Sequence, residues 1–378
     1  MKIVIAPDSF KECASAHEVA AAIAEGVHRA VPDAELALVP MADGGEGTVE
    51  AVVAATGGRR VECEVTGPLG DRVAAKYGIA GDGGTAVIEM AAASGLALVP
   101  RDRRDPRVTT TCGTGELMCD ALDHGVSRIV IGIGGSATND AGAGMAQALG
   151  FSLRDDNGEE LGPGGAALAR LAVVDGRRRH PGLAACEALV ACDVDNPLCG
   201  PRGASHIYGP QKGADTDAVH ELDAALRHFA EVVERHLGTS VLELPGAGAA
   251  GGLGAGLVAF AGARLVSGVE MIAEICGLDA AVDGADLVIT GEGTLDGQTV
   301  FGKTPVGVAR VARRRSVPVI ALAGSLGEGY RDVYGEGIDA AFSICPRPLG
   351  LTEAMAHVRV LLCDTAEAAV RAWAIGRT

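Results

Sequence analysis

At 378 residues the chain is longer than one hydrophobic core ordinarily organises, so two domains are expected. A formal charge of −17 and a pI near 4.9 exclude a nucleic-acid partner, because binding a phosphate backbone requires a basic face. No apolar run approaches the roughly 20 residues of a membrane span, and the one before Pro7 is too short for a signal-peptide core, which predicts a soluble, cytoplasmic protein with no membrane partner.

The chain opens as strand, loop, helix, strand. Lys2 to Ala6 is β-branched, a helix follows from about Ala16 to Ala30, and Glu35 to Pro40 forms the second strand. Ser15 and Glu18 make a capping box, and Val19, Ile23 and Val27 form one apolar stripe. Similar units recur at Arg128–Leu149, Ala188–Val194, Asp286–Thr290 and Val317–Ala323, so the fold class is α/β with mostly parallel sheets. Two amphipathic helices are predicted, Thr216–Leu237 closed by Gly238 and Thr352 to about Trp373; core packing accounts for both, with a homo-oligomer surface as the alternative. The Gly-rich segments Gly81–Gly84 and Gly246–Gly256 are candidate crossings between domains. They suggest an outer domain of residues 1–75 and 285–378 with a second α/β domain, 76–284, inserted. The ten cysteines contain no CxxC pair and the histidines no HxH or HExxH, so reduced, packed thiols are expected and any metal falls to carboxylates and phosphates.

The stretch Ile129–Gly142, IVIGIGGSATNDAG, runs from a buried-strand pattern into a Gly/Ser/Thr/Asn loop and then a helical pattern. Glycines permit a tight turn, Ser136, Thr138 and Asn139 can donate or cap, and helix N-terminal amides favour an anion there. The bland alternative is a glycine-rich turn with caps. Acids repeatedly follow predicted strands: Asp8, Asp43, Asp193 and Asp195, then Glu292 and Asp296. Ligands of open parallel sheets bind beyond the carboxyl ends of strands, so these acids are candidates to converge, although each alone is an ordinary turn residue. Carboxylates for Mg²⁺ and a lysine such as Lys11 or Lys212 beside glycine loops suit phosphoryl transfer. Gly297–Thr304 fits the P-loop expression, but Gly291 to Gly297 separate it from the strand end at Thr290, so the match reads as coincidence, with Lys303 still able to reach a phosphate. Gly246–Gly251 fits GxGxxG with Glu270 downstream, which supports the alternative of a dinucleotide-dependent oxidoreductase acting on a small hydroxy acid.

Taken together, IAPDSFK (Ile5–Lys11), MADGGEGT (Met41–Thr48), GIGGSATNDAGAG (Gly132–Gly144), ACDVDNPL (Ala191–Leu198), GPQKGA (Gly209–Ala214), GAGAAGGLGAG (Gly246–Gly256) and TGEG-LD-QT (Thr290–Thr299) resemble the type I glycerate kinase family. The resemblance implies ATP-dependent, Mg²⁺-requiring phosphorylation of D-glycerate to 2-phosphoglycerate. It also implies a flavodoxin-like outer domain built from both chain ends, an inserted α/β domain, and an active site in the cleft. Carried over by motif, it points to Asp8, Ser9 and Lys11; Asp43 and Glu46; Gly134, Gly135, Ser136, Thr138 and Asn139; Asp193 and Asn196; and Glu292 and Asp296. The roles we assign are Asp193 or Asp43 as general base, Glu292 and Asp296 at Mg²⁺, and Lys11 with the Gly134–Asn139 loop on phosphate or carboxylate; Asp8, Ser9 and Asn196 join the substrate-binding set. Two departures from the family pattern stand out: Glu12-Cys13 where Gly-Ser is usual, and Thr294 where Arg often follows TGEG.

Overall fold

The computed structural model describes residues 1–375. Its strands are, in chain order, β1 (Lys2–Ile5), β2 (Glu35–Leu38), β3 (Arg59–Thr66), β4 (Arg72–Ile79), β5 (Thr85–Glu89), β6 (Arg128–Gly132), β7 (Ser152–Arg154), β8 (Val173–Asp175), β9 (Glu187–Ala191), β10 (Arg264–Val266), β11 (Leu287–Leu295), β12 (Val319–Leu326) and β13 (Ala340–Ser343). The chain forms two compact units. Residues 1–43, 50–58 and 267 onward make the first; residues 44–49 and 59–266 make the second.

The first unit holds a fully parallel sheet in the order β2-β1-β11-β12-β13. Counted within the sheet this is 2-1-3-4-5, the flavodoxin-like order, whose switch point falls between β1 and β11. Its core is aliphatic: Ile3, Ile5, Leu287, Ile289 and Leu322 from the strands meet Val19, Ile23 and Val27 from helix Ala16–Ala30 and Leu362 and Val370 from helix Val358–Ile375. Each such side chain contributes about 1.5–3 kcal/mol when fully buried. The capping box at Ser15 and Glu18 is formed. Gly26 lets the two helices meet closely, since a Cβ there would lie 2.1 Å from the Cys363 carbonyl oxygen.

The second unit holds a mixed sheet, β10-β9-β6-β5-β4-β3, parallel from β10 to β5 and antiparallel beyond. Helix Thr216–Leu237 ends in a left-handed Gly238, as its sequence predicts, and packs Leu222, Leu226, Phe229 and Val233 inward. The β7–β8 pair forms a separate two-stranded sheet.

Several sequence expectations need correction. The units divide at residues 58/59 and 266/267 rather than near 75 and 285, because β3 pairs with β4 along eight residues and commits that stretch to the second sheet. Gly81–Gly84 is the turn joining β4 to β5, not a crossing between domains. Strand β11 does not stop at Thr290 but runs to Leu295, held by β12 through the pairs Glu292↔Ala323 and Thr294↔Ser325. The C-terminal helix is interrupted at His357, between Leu351–Ala356 and Val358–Ile375. All ten cysteines are free.

Candidate active site

In the first unit, four of the predicted acids gather at the switch point. Asp8 follows β1 and is 9% exposed; Glu292 lies within β11 and is equally buried. Thr304, at the start of helix Thr304–Arg314, donates its hydroxyl to Asp8 Oδ2 at 2.5 Å, and the Ser9 N–H donates to Asp8 Oδ1 at 2.6 Å. Thr299 donates its hydroxyl to Glu292 Oε1 at 2.7 Å. Lys303 Nζ stands 3.8 Å from Glu292 Oε2 and 3.6 Å from Asp296 Oδ1.

Burial dominates the electrostatics here. It pushes the Asp8 carboxyl up to about 6, with Asp43 adding to the shift against the Thr304 and Ser9 hydrogen bonds. Burial likewise pushes Glu292 up to about 7, opposed by Thr299 and Lys303 and reinforced by Asp8 and Asp296. These acids crowd one another's charge, so the cluster favours an added proton or cation. Lys11 is exposed and Ser9 half-buried on the loop after β1, which passes the open side of Gly293. Glu12 takes a left-handed φ of +66°, in a tight turn where the Phe10 carbonyl accepts from the Cys13 and Ala14 N–H groups. The residue that departs from the family's glycine therefore keeps a glycine-like conformation.

The second unit gathers its candidates at the carboxyl ends of β5, β6 and β9. Gly44 lies on the end of β6, where a Cβ at Gly132 would meet its carbonyl oxygen at 2.1 Å, and Gly45 passes within 3.8 Å of the Cβ position of Gly134. Glu89, at the end of β5, accepts the Val49 N–H at 2.9 Å, and burial raises its pKa. Glu46, Gly134, Gly135 and Asp193 are exposed at this rim. Asp195 is paired with Arg202 at 2.9 Å. Asn196 uses both ends of its amide internally, donating to the Arg202 carbonyl at 2.8 Å and accepting the Tyr208 hydroxyl at 2.7 Å.

The IGGSATND loop corrects the simple picture of a helix-end anion cradle. Its helix begins only at Ala143, and the N-terminal amides are taken by the chain's own Asp140. That carboxylate accepts from the Thr111 N–H and hydroxyl, both at 2.9 Å, from the Gly142 N–H at 3.2 Å and from the Gly144 N–H at 3.3 Å. Ser136 is 7% exposed, and Thr138 and Asn139 are fully enclosed, so these side chains support the loop from within. Lys212 is 1% exposed and donates to the Thr138 carbonyl at 2.6 Å; burial pushes its ammonium down to about 7, with Asp140 pulling the other way.

Three glycines of Gly246–Gly256, namely Gly251, Gly252 and Gly256, pack on the same loop. A Cβ at Gly251 would lie 1.9 Å from the Thr138 carbonyl oxygen, and one at Gly256 would lie 2.2 Å from the Ala141 carbonyl oxygen. No strand precedes the GxGxxG match, and Glu270 lies on helix Gly268–Ile275 in the other unit. The motif has packing to do and lacks the strand-turn-helix setting of a dinucleotide site.

A model of the glycerate kinase family matches residues 3–374. The chain belongs to the glycerate kinase family. It is 55% identical over 373 residues to a glycerate kinase of Halalkalibacterium halodurans, covering 98% of each chain. It is 53% identical over 376 residues to the glycerate 2-kinase of Escherichia coli K12, covering 100% of this chain and 99% of the relative. A crystal structure described as glycerate kinase 2 from Salmonella typhimurium LT2 superposes with a TM-score of 0.93 at 52% identity, covering 100% of this chain and 99% of the other. These family matches leave the oxidoreductase alternative without support.

Sequence reasoning passed over Thr299, Thr304 and Thr111. Thr299 and Thr304 lie inside the P-loop-like match that the assumed strand end at Thr290 discounted. Thr111 closes a run of three threonines before a helix, a signal for capping hydroxyls.

Proposed function

We propose that this protein transfers the γ-phosphoryl group of ATP to the 2-hydroxyl of D-glycerate. The observation that carries this reading is the 53–55% identity, over nearly the whole chain, to glycerate kinases that include a glycerate 2-kinase. The glycerate oxygen attacks the γ-phosphorus, the bond to the ADP oxygen breaks, and the hydroxyl proton passes to a carboxylate. Asp193, exposed beyond β9, is the base we assign first, with Asp43 second. Asp43 stands in the field of Asp8, whose raised pKa marks a crowded negative site suited to holding a proton. Lys11 and Lys303 supply positive charge for phosphate oxygens, and the exposed Gly134–Gly135 turn offers close backbone approach to an anionic group.

Among the described residues no three His, Cys, Asp or Glu side chains form a ready metal site. Mg²⁺ is commonly held by one or two carboxylates with substrate phosphates completing its shell, and Glu292 with Asp296 provides such a pair. Mg²⁺ bound there would neutralise charge on the transferring phosphate. Lys303 already stands close to both carboxylates, which fits a metal that arrives with the nucleotide.

Among the described residues no helix is long and apolar enough to cross a membrane, and we assign the enzyme to the cytoplasm, with small molecules as its partners.

The test is phosphorus NMR of the purified protein with ATP, Mg²⁺ and D-glycerate. A glycerate-dependent phosphomonoester signal split into a doublet by one methine proton establishes the 2-phosphate. A triplet reports the 3-phosphate and overturns the position, and no glycerate-dependent product overturns the activity.

A further inference from the structure

Lys212 does something that the roles assigned above do not use. Its ammonium can donate three hydrogen bonds, but among the described residues it makes one, to the Thr138 carbonyl. Two enclosed side-chain oxygens of the same loop, Thr138 Oγ1 and Asn139 Oδ1, have no partner. The Asn139 amide nitrogen is committed to Ser205 Oγ at 3.0 Å, and Asp140 is saturated by Thr111, Gly142 and Gly144. A buried charge that forms a single hydrogen bond to a neutral carbonyl is costly even with the Asp140 carboxylate attracting it, and a neutral donor would satisfy that carbonyl more cheaply. Stability alone therefore does not account for a lysine here.

The backbone on both sides is fixed. Lys212 ends the turn Pro210–Lys212, followed by Gly213 at φ +99°, where the Arg104 carbonyl oxygen fills the space of a Cβ at 2.2 Å. On the loop side, Gly251 presses on the Thr138 carbonyl, Gly165 abuts the Asn139 carbonyl, and the Ala141 N–H donates to the Gly251 carbonyl at 3.1 Å. The ammonium thus joins two rigid segments at Thr138, three to four residues after the exposed Gly135 and Gly134.

We propose that Lys212 is a positioning residue for phosphoryl transfer: its ammonium clamps the Thr138 carbonyl and so fixes the Gly134–Gly135 turn that receives a substrate's anionic group. The inference rests on the functional reading above, specifically on that turn holding substrate.

The experiment compares Lys212→Met, of similar length and no charge, with Lys212→Ala, each checked for folding by circular dichroism and assayed with ATP, Mg²⁺ and D-glycerate. The expected result is a folded Lys212→Met protein whose KM for one substrate rises about tenfold or more while the other stays within twofold. Activity of Lys212→Ala should recover in ethylamine or propylamine and not in propanol, since only the amines restore a cation at the vacated position. Wild-type KM and kcat per folded molecule, with a change confined to melting temperature and no response to amines, would overturn the clamp. If Lys212→Met does not fold, amine rescue of Lys212→Ala decides the matter: its absence overturns the proposal. Gly135→Val separates the two levels, because unchanged KM values there show that the turn holds no substrate and overturn the underlying reading as well.

Discussion

The two polar clusters solve opposite electrostatic problems. At the switch point of the first unit, Glu292 and Asp296 share one paired lysine, Lys303, and burial pushes Asp8 and Glu292 towards the protonated form. In the second unit a buried lysine is pushed towards its neutral form, and the neighbouring carboxylate of Asp140 is tied up by backbone amides. The first cluster is short of positive charge and so suits a cation-bearing ligand. The second is closed by its own hydrogen bonds and so suits holding a loop in shape.

The largest expected effect sharpens this contrast at the chemistry itself. Asp193→Asn should lower kcat by about 10²–10⁴ while nucleotide affinity, read by calorimetry, stays near normal. Near-normal turnover would remove Asp193 from the base role and promote Asp43.

Packing should separate the units next. Gly251→Ala forces a Cβ against the Thr138 carbonyl at φ +70°, and a cost of roughly 3 kcal/mol or more is expected. At about 2–4 °C per kcal/mol for a unit of this size, the melting temperature should fall by about 10 °C. Gly293→Ala, whose Cβ would meet nothing closer than 3.9 Å, should leave the melting temperature almost unchanged. Equal losses in the two variants would break the distinction between a packed loop and an open site.

The pH dependence should carry opposite signs. Glu292 rises from 4.5 to about 7 on folding, so the stability tied to its protonated form is fully present below pH 4.5 and is lost as pH rises through about 7. Lys212 falls from 10.5 to about 7, so the stability tied to its neutral form is present above pH 10.5 and is lost as pH falls through about 7. Glu292→Gln should therefore gain on the wild type between pH 5 and 8, by about 3 kcal/mol at most. Lys212→Met should gain on it as pH falls from 10 to 7. Thermal melts across both ranges check this, and a difference between variant and wild type that does not vary with pH would refute it.

The smallest effect tests the family departure at residue 12. Glu12→Gly relieves a left-handed conformation but loosens the unfolded chain, two terms of about 1 kcal/mol that nearly cancel. A melting shift beyond about 3 °C would show that the Glu12 side chain carries more than backbone strain.

Much of the fold was legible because local pattern decides it. The Ser15 capping box, the stripe of Val19, Ile23 and Val27, and Gly238 as a helix stop all depend on neighbours within a few residues. The acids after strands were legible for the same reason, since strand and loop alternate in sequence. What the pattern misjudged was the extent of β11. TGEGTL reads as a glycine loop, yet pairing with β12 extends it as strand, and this brings Glu292 under Thr299 and Lys303.

Tertiary structure alone decided which glycines stay exposed and which pack against other backbone. Gly134 and Gly251 look alike in sequence; the first is exposed, and the second is pressed against the Thr138 carbonyl. It also decided the fate of Lys212, separated from Thr138 by 74 residues and joined to it by one hydrogen bond. By itself the sequence determined the fold class, the family and the roster of polar residues, because these depend on residue type and order. Burial and long-range partners depend on the packed whole, and they set which of those residues face a substrate, which hold a charge out of water, and which hold the others in place.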